Sequence, residues 1–206
     1  YLVDRLLKDL DEGRRREILG YMHDVANDQG AMLQLTVEGM DIFNAAAEDR
    51  EGCRYLSYLT AAPRFGPRML LEGLRDPYFP GSYSLFHAMH RIAGGVSDAY
   101  PYPALPPGVQ DAARELLGVE PVPRDNDGVV PLFSQPWGTV CGVLRADHLD
   151  VCGHFHSLRG DRSHTDWLRS GSGFTEEAFD ALWRDVATRL VGGRPAPYRG
   201  GHFRTI

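Results

Sequence analysis

Two short stretches of the chain carry residue types able to move a proton between them: Asp127 in DNDGVVP and His148 in ADHLD. An aspartate hydrogen-bonded to one ring nitrogen of a histidine fixes the tautomer. It also stabilises the imidazolium that forms when the other nitrogen takes a proton. Such a pair is the base half of a nucleophile–base–acid relay. Both residues lie in loops bordering an apolar strand pattern at residues 139–144 (TVCGVL), Asp127 upstream and His148 just past its end. In an open α/β sheet that C-terminal strand edge is where sites form. Spacing alone leaves plainer readings open, an ordinary Asp–Gly turn and a structural histidine.

The nucleophile of such a relay is not visible. A G-x-S-x-G elbow is absent: Ser172 in SGSGF has Ser170 and Phe174 where the glycines belong, and Ser82 and Ser84 fail likewise. Asp125 and Asp147, near the two candidate residues, read as surface charges. His154, His156, Asp161, His164 and Asp166 form a cluster able to bind zinc or another transition metal, or else an exposed histidine-rich loop. Three cysteines, Cys53, Cys141 and Cys152, give no disulfide framework. They allow one disulfide and a free thiol, or three buried thiols, with Cys141 inert in its apolar strand.

The elements that must position these residues follow from pattern. At 206 residues the chain suffices for one domain, and no apolar run approaches the roughly 18 residues of a membrane span. A net charge of −6 argues against a nucleic-acid partner, and Arg14, Arg15 and Arg16, flanked by acids, read as a solvated helix face. Because the chain starts at Tyr1, an upstream segment is expected to have been removed. Helical stripes appear at residues 2–10 and 18–26, then at 36–47 behind a Thr36 cap, at 84–92, at 110–117 closed by Gly118, and at 175–190 behind Thr175. In the last of these, Phe179, Leu182, Trp183, Val186 and Leu190 form the expected buried face, and Trp137 and Trp167 are expected to pack. Strand patterns fall at residues 53–59 and 139–144, and 124–128 (RDNDG) reads as a turn. Two strands alone make no stable sheet, so parallel neighbours are expected from outside the chain.

The stretch DNDGVVPLFSQPWGTVCGVLRADHLD resembles the acid-to-histidine segment of the bacterial triacylglycerol lipases of the α/β-hydrolase fold, with its DG-V turn, Gly-Val strand and HLD. LTVEGMDIFNA (35–45) is similar to the segment after their lid, and YLSYL (55–59) to their strand before the acid. The resemblance implies the C-terminal portion of an α/β-hydrolase: one unit, residues 1–206, with lid or cap helices in 1–50. The last strands, the acid and histidine loops and the C-terminal helix then fill 51–206, and the sheet is incomplete without an N-terminal half. By the same resemblance Asp127 is the triad acid and His148 the base, and the order fits the family. The implied reaction is ester hydrolysis through an acyl-enzyme, on an ester or lipid substrate, with no organic cofactor, in a secreted protein. The partner is the N-terminal half that carries the serine and oxyanion hole, without which the chain is expected to be inactive. Asp150 matches a structural calcium ligand, with carbonyls near His154 and Leu158 and Asp111 as a guess for a second carboxylate; otherwise it braces the histidine loop. Two other readings stand beside this one: a metal-binding module built on residues 154–166, and a non-catalytic, hydrolase-derived interaction domain.

Overall fold

A computed structural model of the chain describes residues 11–27, 36–65, 79–95, 100–155 and 166–206. The chain divides into two compact units, Tyr1–Cys53 and Arg54–Ile206. The first contains α1 (Glu12–Asn27) and α2 (Val37–Ala46). The Asp11 carboxylate accepts from Arg14 N (3.0 Å) at the start of α1, with Gly13 in the first turn. The apolar stripe at residues 2–10 lies outside the described residues. Thr36 caps α2 by accepting from Gly39 N (3.1 Å), as its sequence predicts. No residue of α2 is buried, and Phe43 is 61% exposed.

The second unit is mixed α/β. Its sheet has the order β1 (Leu56–Ala61), β2 (Thr139–Arg145), β3 (Phe203–Thr205), with β1 and β2 parallel and β3 antiparallel to β2. The central position of β2 agrees with its apolar character on both faces. Its second neighbour, however, is the chain's own C-terminal strand, antiparallel, and not a parallel strand from elsewhere. β3 is too short for its pattern to stand out in the sequence. β1 starts and ends later than residues 53–59, running on through Thr60 and Ala61 towards Pro63.

Alternation along the strands sends successive side chains to opposite faces. Leu59, Ala61 and Val143 pack against Val109, Ala112, Ala113 and Leu116 of α4 (Pro107–Leu117) on one face. Leu144, Ala146 and Phe203 meet Ala178 and Leu182 of α5 (Glu176–Leu190) on the other. Pro107 opens α4 where its missing N–H costs nothing, and Gly118 closes it at φ 72°. Thr175 caps α5 by accepting from Ala178 N (3.3 Å). The buried stripe of α5 is narrower than its sequence suggests. Trp183 and Leu190 are exposed, and Asp185 is buried instead, accepting hydrogen bonds from the Tyr58 hydroxyl and Arg189. Trp137 and Trp167 are also exposed rather than buried. All three cysteines are free, and only Cys141 is buried. Between β1 and β2 also lies α3 (Phe79–Ala93), which packs Phe86 with Ala62 and Leu168 just beyond the C-terminal end of β1. Among the described residues no helix is long and apolar enough to cross a membrane.

Candidate acid–histidine site

The C-terminal ends of β1 and β2 bring Asp127 and His148 together. His148 Nδ1 lies 3.0 Å from Asp127 Oδ2. Their loops are also joined through the backbone, since His148 N donates to Asp127 O (2.9 Å). The carboxylate is buried and accepts four hydrogen bonds. Val129 N (3.0 Å) and Val130 N (2.7 Å) donate to Oδ1, while the Thr60 hydroxyl (2.7 Å) and His148 donate to Oδ2. Every lone pair facing protein is thus used, as a buried charge requires. The His148 side chain is 42% exposed. Among the described residues Asp127 is the one hydrogen-bond partner of its ring. The hydrogen bond to Asp127 holds the His148 pKa above the ordinary histidine value. Burial opposes this, and the charges of Asp127 and Asp147 add to it. With Nδ1 donating to the carboxylate, Nε2 is left as the proton acceptor on the exposed side.

The RDNDG turn is not the exposed turn its composition suggests. Asp125, Asn126 and Asp127 are all buried, each with an assigned partner. Arg64 grips Asp125 with two bonds of 2.7 Å and reaches Glu120 O (2.8 Å), so Asp125 anchors the loop and is not a surface charge. Asn126 is fully buried. Its amide donates to His90 O (3.0 Å) and Arg124 O (2.9 Å), and its oxygen accepts from Gly128 N (2.8 Å), tying the loop to α3. Gly128, at φ 97°, presses against Phe86: a Cβ there would stand 2.7 Å from the ring. Gly128→Ala is therefore expected to cost about 2–4 kcal/mol through combined strain and overlap. A denaturant melt of the variant checks this, and a loss below about 0.5 kcal/mol would show that the loop is not held as described.

Asp147, expected at the surface, is buried within a second hydrogen-bonded set behind His148. Its Oδ1 accepts from Leu149 N (2.9 Å) and Asp150 N (3.1 Å), and its Oδ2 from the Ser170 hydroxyl (2.6 Å). Asp150 reaches back to accept from Asp147 N (2.8 Å) and takes the Ser172 hydroxyl (2.7 Å) on the same oxygen. This is a reciprocal cap around one short turn, with His148 inside it. Burial raises both carboxyl pKa values. Asp150 is raised further, because the Asp147 charge adds to its desolvation and Asp166 contributes in the same sense. Asp150 thus ties the two ends of the histidine turn together.

Among the described residues no group of three His, Cys, Asp or Glu side chains could hold a metal ion. Asp111, the guessed second calcium carboxylate, is exposed and paired with Arg114. Of the histidine-rich cluster, His154 stacks edge-on against Trp167 and Asp166 pairs with Arg169 (3.2 Å). His156, Asp161 and His164, and Leu158 of the calcium set, lie outside the described residues. Ser170 and Ser172 serve the two aspartates, and Ser82 bridges Trp167 O and Arg169 N. The residues the sequence reading missed are Thr60, Asn126, Gln135, Ser170 and Ser172. All are uncharged polar side chains whose importance comes from the hydrogen bonds they make around the two loops, which spacing does not disclose. No family profile, curated protein or solved structure matches the chain.

Proposed function

We propose that the chain supplies the acid and base of a serine ester hydrolase, with Asp127 as acid and His148 as base. The supporting observation is the Asp127–His148 hydrogen bond of 3.0 Å at the C-terminal edge of two parallel strands, with the carboxylate buried and the imidazole half-open. A buried carboxylate bonded to a half-exposed imidazole leaves the second ring nitrogen open to receive a proton from outside. The resemblance of residues 125–150 to the lipase segment supplies the reaction class. In this reading a serine outside the 206 residues, carried by an N-terminal partner segment, attacks the carbonyl of an ester or lipid. His148 Nε2 accepts its proton and then returns it to the leaving alcohol. Asp127 keeps Nδ1 protonated and balances the imidazolium. In the second half-reaction His148 takes a proton from water, which attacks the acyl-enzyme. Secretion, absence of an organic cofactor and a calcium ion near Asp150 belong to the same reading as consequences of the resemblance.

Fluorophosphonate labelling tests it. The isolated 206-residue chain is expected to remain unlabelled and to hydrolyse no p-nitrophenyl ester. Protein from the native source is expected to be labelled on a serine outside this sequence, in a species that contains or co-purifies with it. Esterase activity in the verified isolated chain would refute the split, and no labelled serine in the native species would refute the catalytic reading altogether.

A further inference from the structure

Gln135 does not touch Asp127, yet it joins two of the groups that hold it. Ala61 directs its carbonyl towards β2, where it accepts from Ala146 N (3.1 Å). By strand alternation the peptide groups of Thr60 face the opposite, outer edge of β1. There the Gln135 carboxamide stands in for a neighbouring strand. Its oxygen accepts from Thr60 N (2.6 Å), and its nitrogen donates to Thr60 O (2.8 Å). The same nitrogen donates to Val130 O (3.0 Å). Thr60 and Val130 each supply one of the four hydrogen bonds Asp127 accepts, one to each carboxylate oxygen.

We propose that Gln135 is the positioning residue for the acid of this site, setting the direction of the Asp127 carboxylate, and through it the His148 imidazole, by clamping Thr60 to Val130. A single planar amide spans the strand end and the acid loop, so both donors keep a fixed separation while the carboxylate sits between them. The Thr60 hydroxyl has Gln135 Oε1 as its alternative acceptor at 3.4 Å, and it gives its proton to Asp127 at the shorter distance. Among the described residues no backbone ladder fixes Thr60 on that side, so the side chain of residue 135 decides where the hydroxyl points. The charged groups that act on the His148 ring are Asp127 and Asp147. Gln135 carries no charge, so any effect it has on His148 must pass through geometry.

The inference concerns the same pair as the proposed function, but its test needs no nucleophile and can fail separately. The His148 pKa and its downfield Nδ1 proton are measured by NMR in the 206-residue chain. Gln135→Met is expected to lower that pKa by at least about 0.5 and to broaden or lose the downfield proton. In an Asp127→Asn background the same change is expected to leave His148 where it was. Gln135→Ala removes the acceptor and both donors without adding charge; it is expected to shift the pKa in the same direction and serves if the Met variant does not fold. A His148 pKa unchanged by either substitution, even with lower thermal stability, would reduce Gln135 to a packing role. An equal shift in the Asp127→Asn background would show that it does not act through the acid.

Discussion

Asp127→Asn is expected to leave the chain folded and to remove its capacity as a base. The amide oxygen can keep the bonds from Val129 N and Val130 N, and the amide nitrogen then faces Thr60 Oγ1 and His148 Nδ1, both able to accept. The imidazole must turn its lone pair to Nδ1 and carry its proton on Nε2, the wrong tautomer for taking a proton from a nucleophile. In the completed hydrolase kcat is expected to fall about 10⁴-fold, the scale known for this change in serine–histidine–aspartate relays. In the isolated chain the ¹⁵N shifts of His148 should report the exchanged tautomer, and its pKa should fall from its raised position, since the hydrogen bond to Asp127 is the largest cause of the rise. Asp127→Ala separates this from stability. It leaves two backbone N–H groups and a hydroxyl without their acceptor in a buried site, at a cost of about 3–5 kcal/mol. A fluorophosphonate labelling rate in Asp127→Asn equal to wild type would remove Asp127 from the mechanism.

The second large effect is on stability against pH. Asp147 and Asp150 both have raised carboxyl pKa values in the folded chain, burial being the main cause. A carboxyl that holds its proton more tightly folded than unfolded contributes stability in full below its unfolded value, near 4, and loses it as pH rises through the folded value. His148, also raised, acts in the same sense over a higher window: its contribution is present below about 6.5 and lost above. Stability should therefore decline from about pH 4–5 into the alkaline range. Asp150→Asn retains an oxygen for Asp147 N and Ser172 and removes the more strongly raised carboxyl. It is expected to flatten that decline and to stabilise the chain by about 1–3 kcal/mol at pH 8, with little difference at pH 5. Urea melts across that range decide it. Calcium addition and chelation at pH 8 belong in the same series. A wild-type stability that rises with calcium and falls with chelator, and an Asp150→Asn variant destabilised at pH 8, would mean that Asp150 works ionised on a metal.

The parts legible in the sequence were those governed by local periodicity and local backbone chemistry. The caps at Thr36 and Thr175 and the Gly118 stop are decided by residues within one turn, and each is found where the pattern places it. The strand at residues 139–144 is equally plain, because a strand covered on both faces must be apolar throughout. The pairing of Asp127 with His148 was readable only as two polar residues delivered to one strand edge. The sequence could not give their distance, because they stand 21 positions apart with a strand between them.

The remainder depended on which surfaces meet. A short antiparallel strand at the C-terminus satisfies the second edge of β2, although three residues carry too little pattern to announce a strand. Asp125 and Asp147 look like solvated charges in a one-dimensional reading. Burial makes them anchors, because Arg64 neutralises the first and the Ser170 hydroxyl with two backbone amides holds the second. Trp137, Trp167 and Trp183 show the converse, apolar side chains left exposed by packing that no residue type foretells. Composition and spacing by themselves determined where the described helices lie though not all their ends, the central strand and the residue types able to exchange a proton. Only the tertiary structure decided which carboxylates are buried and which donors surround them, because both depend on groups distant in sequence, and desolvation is what turns an ordinary aspartate into one that orients a histidine.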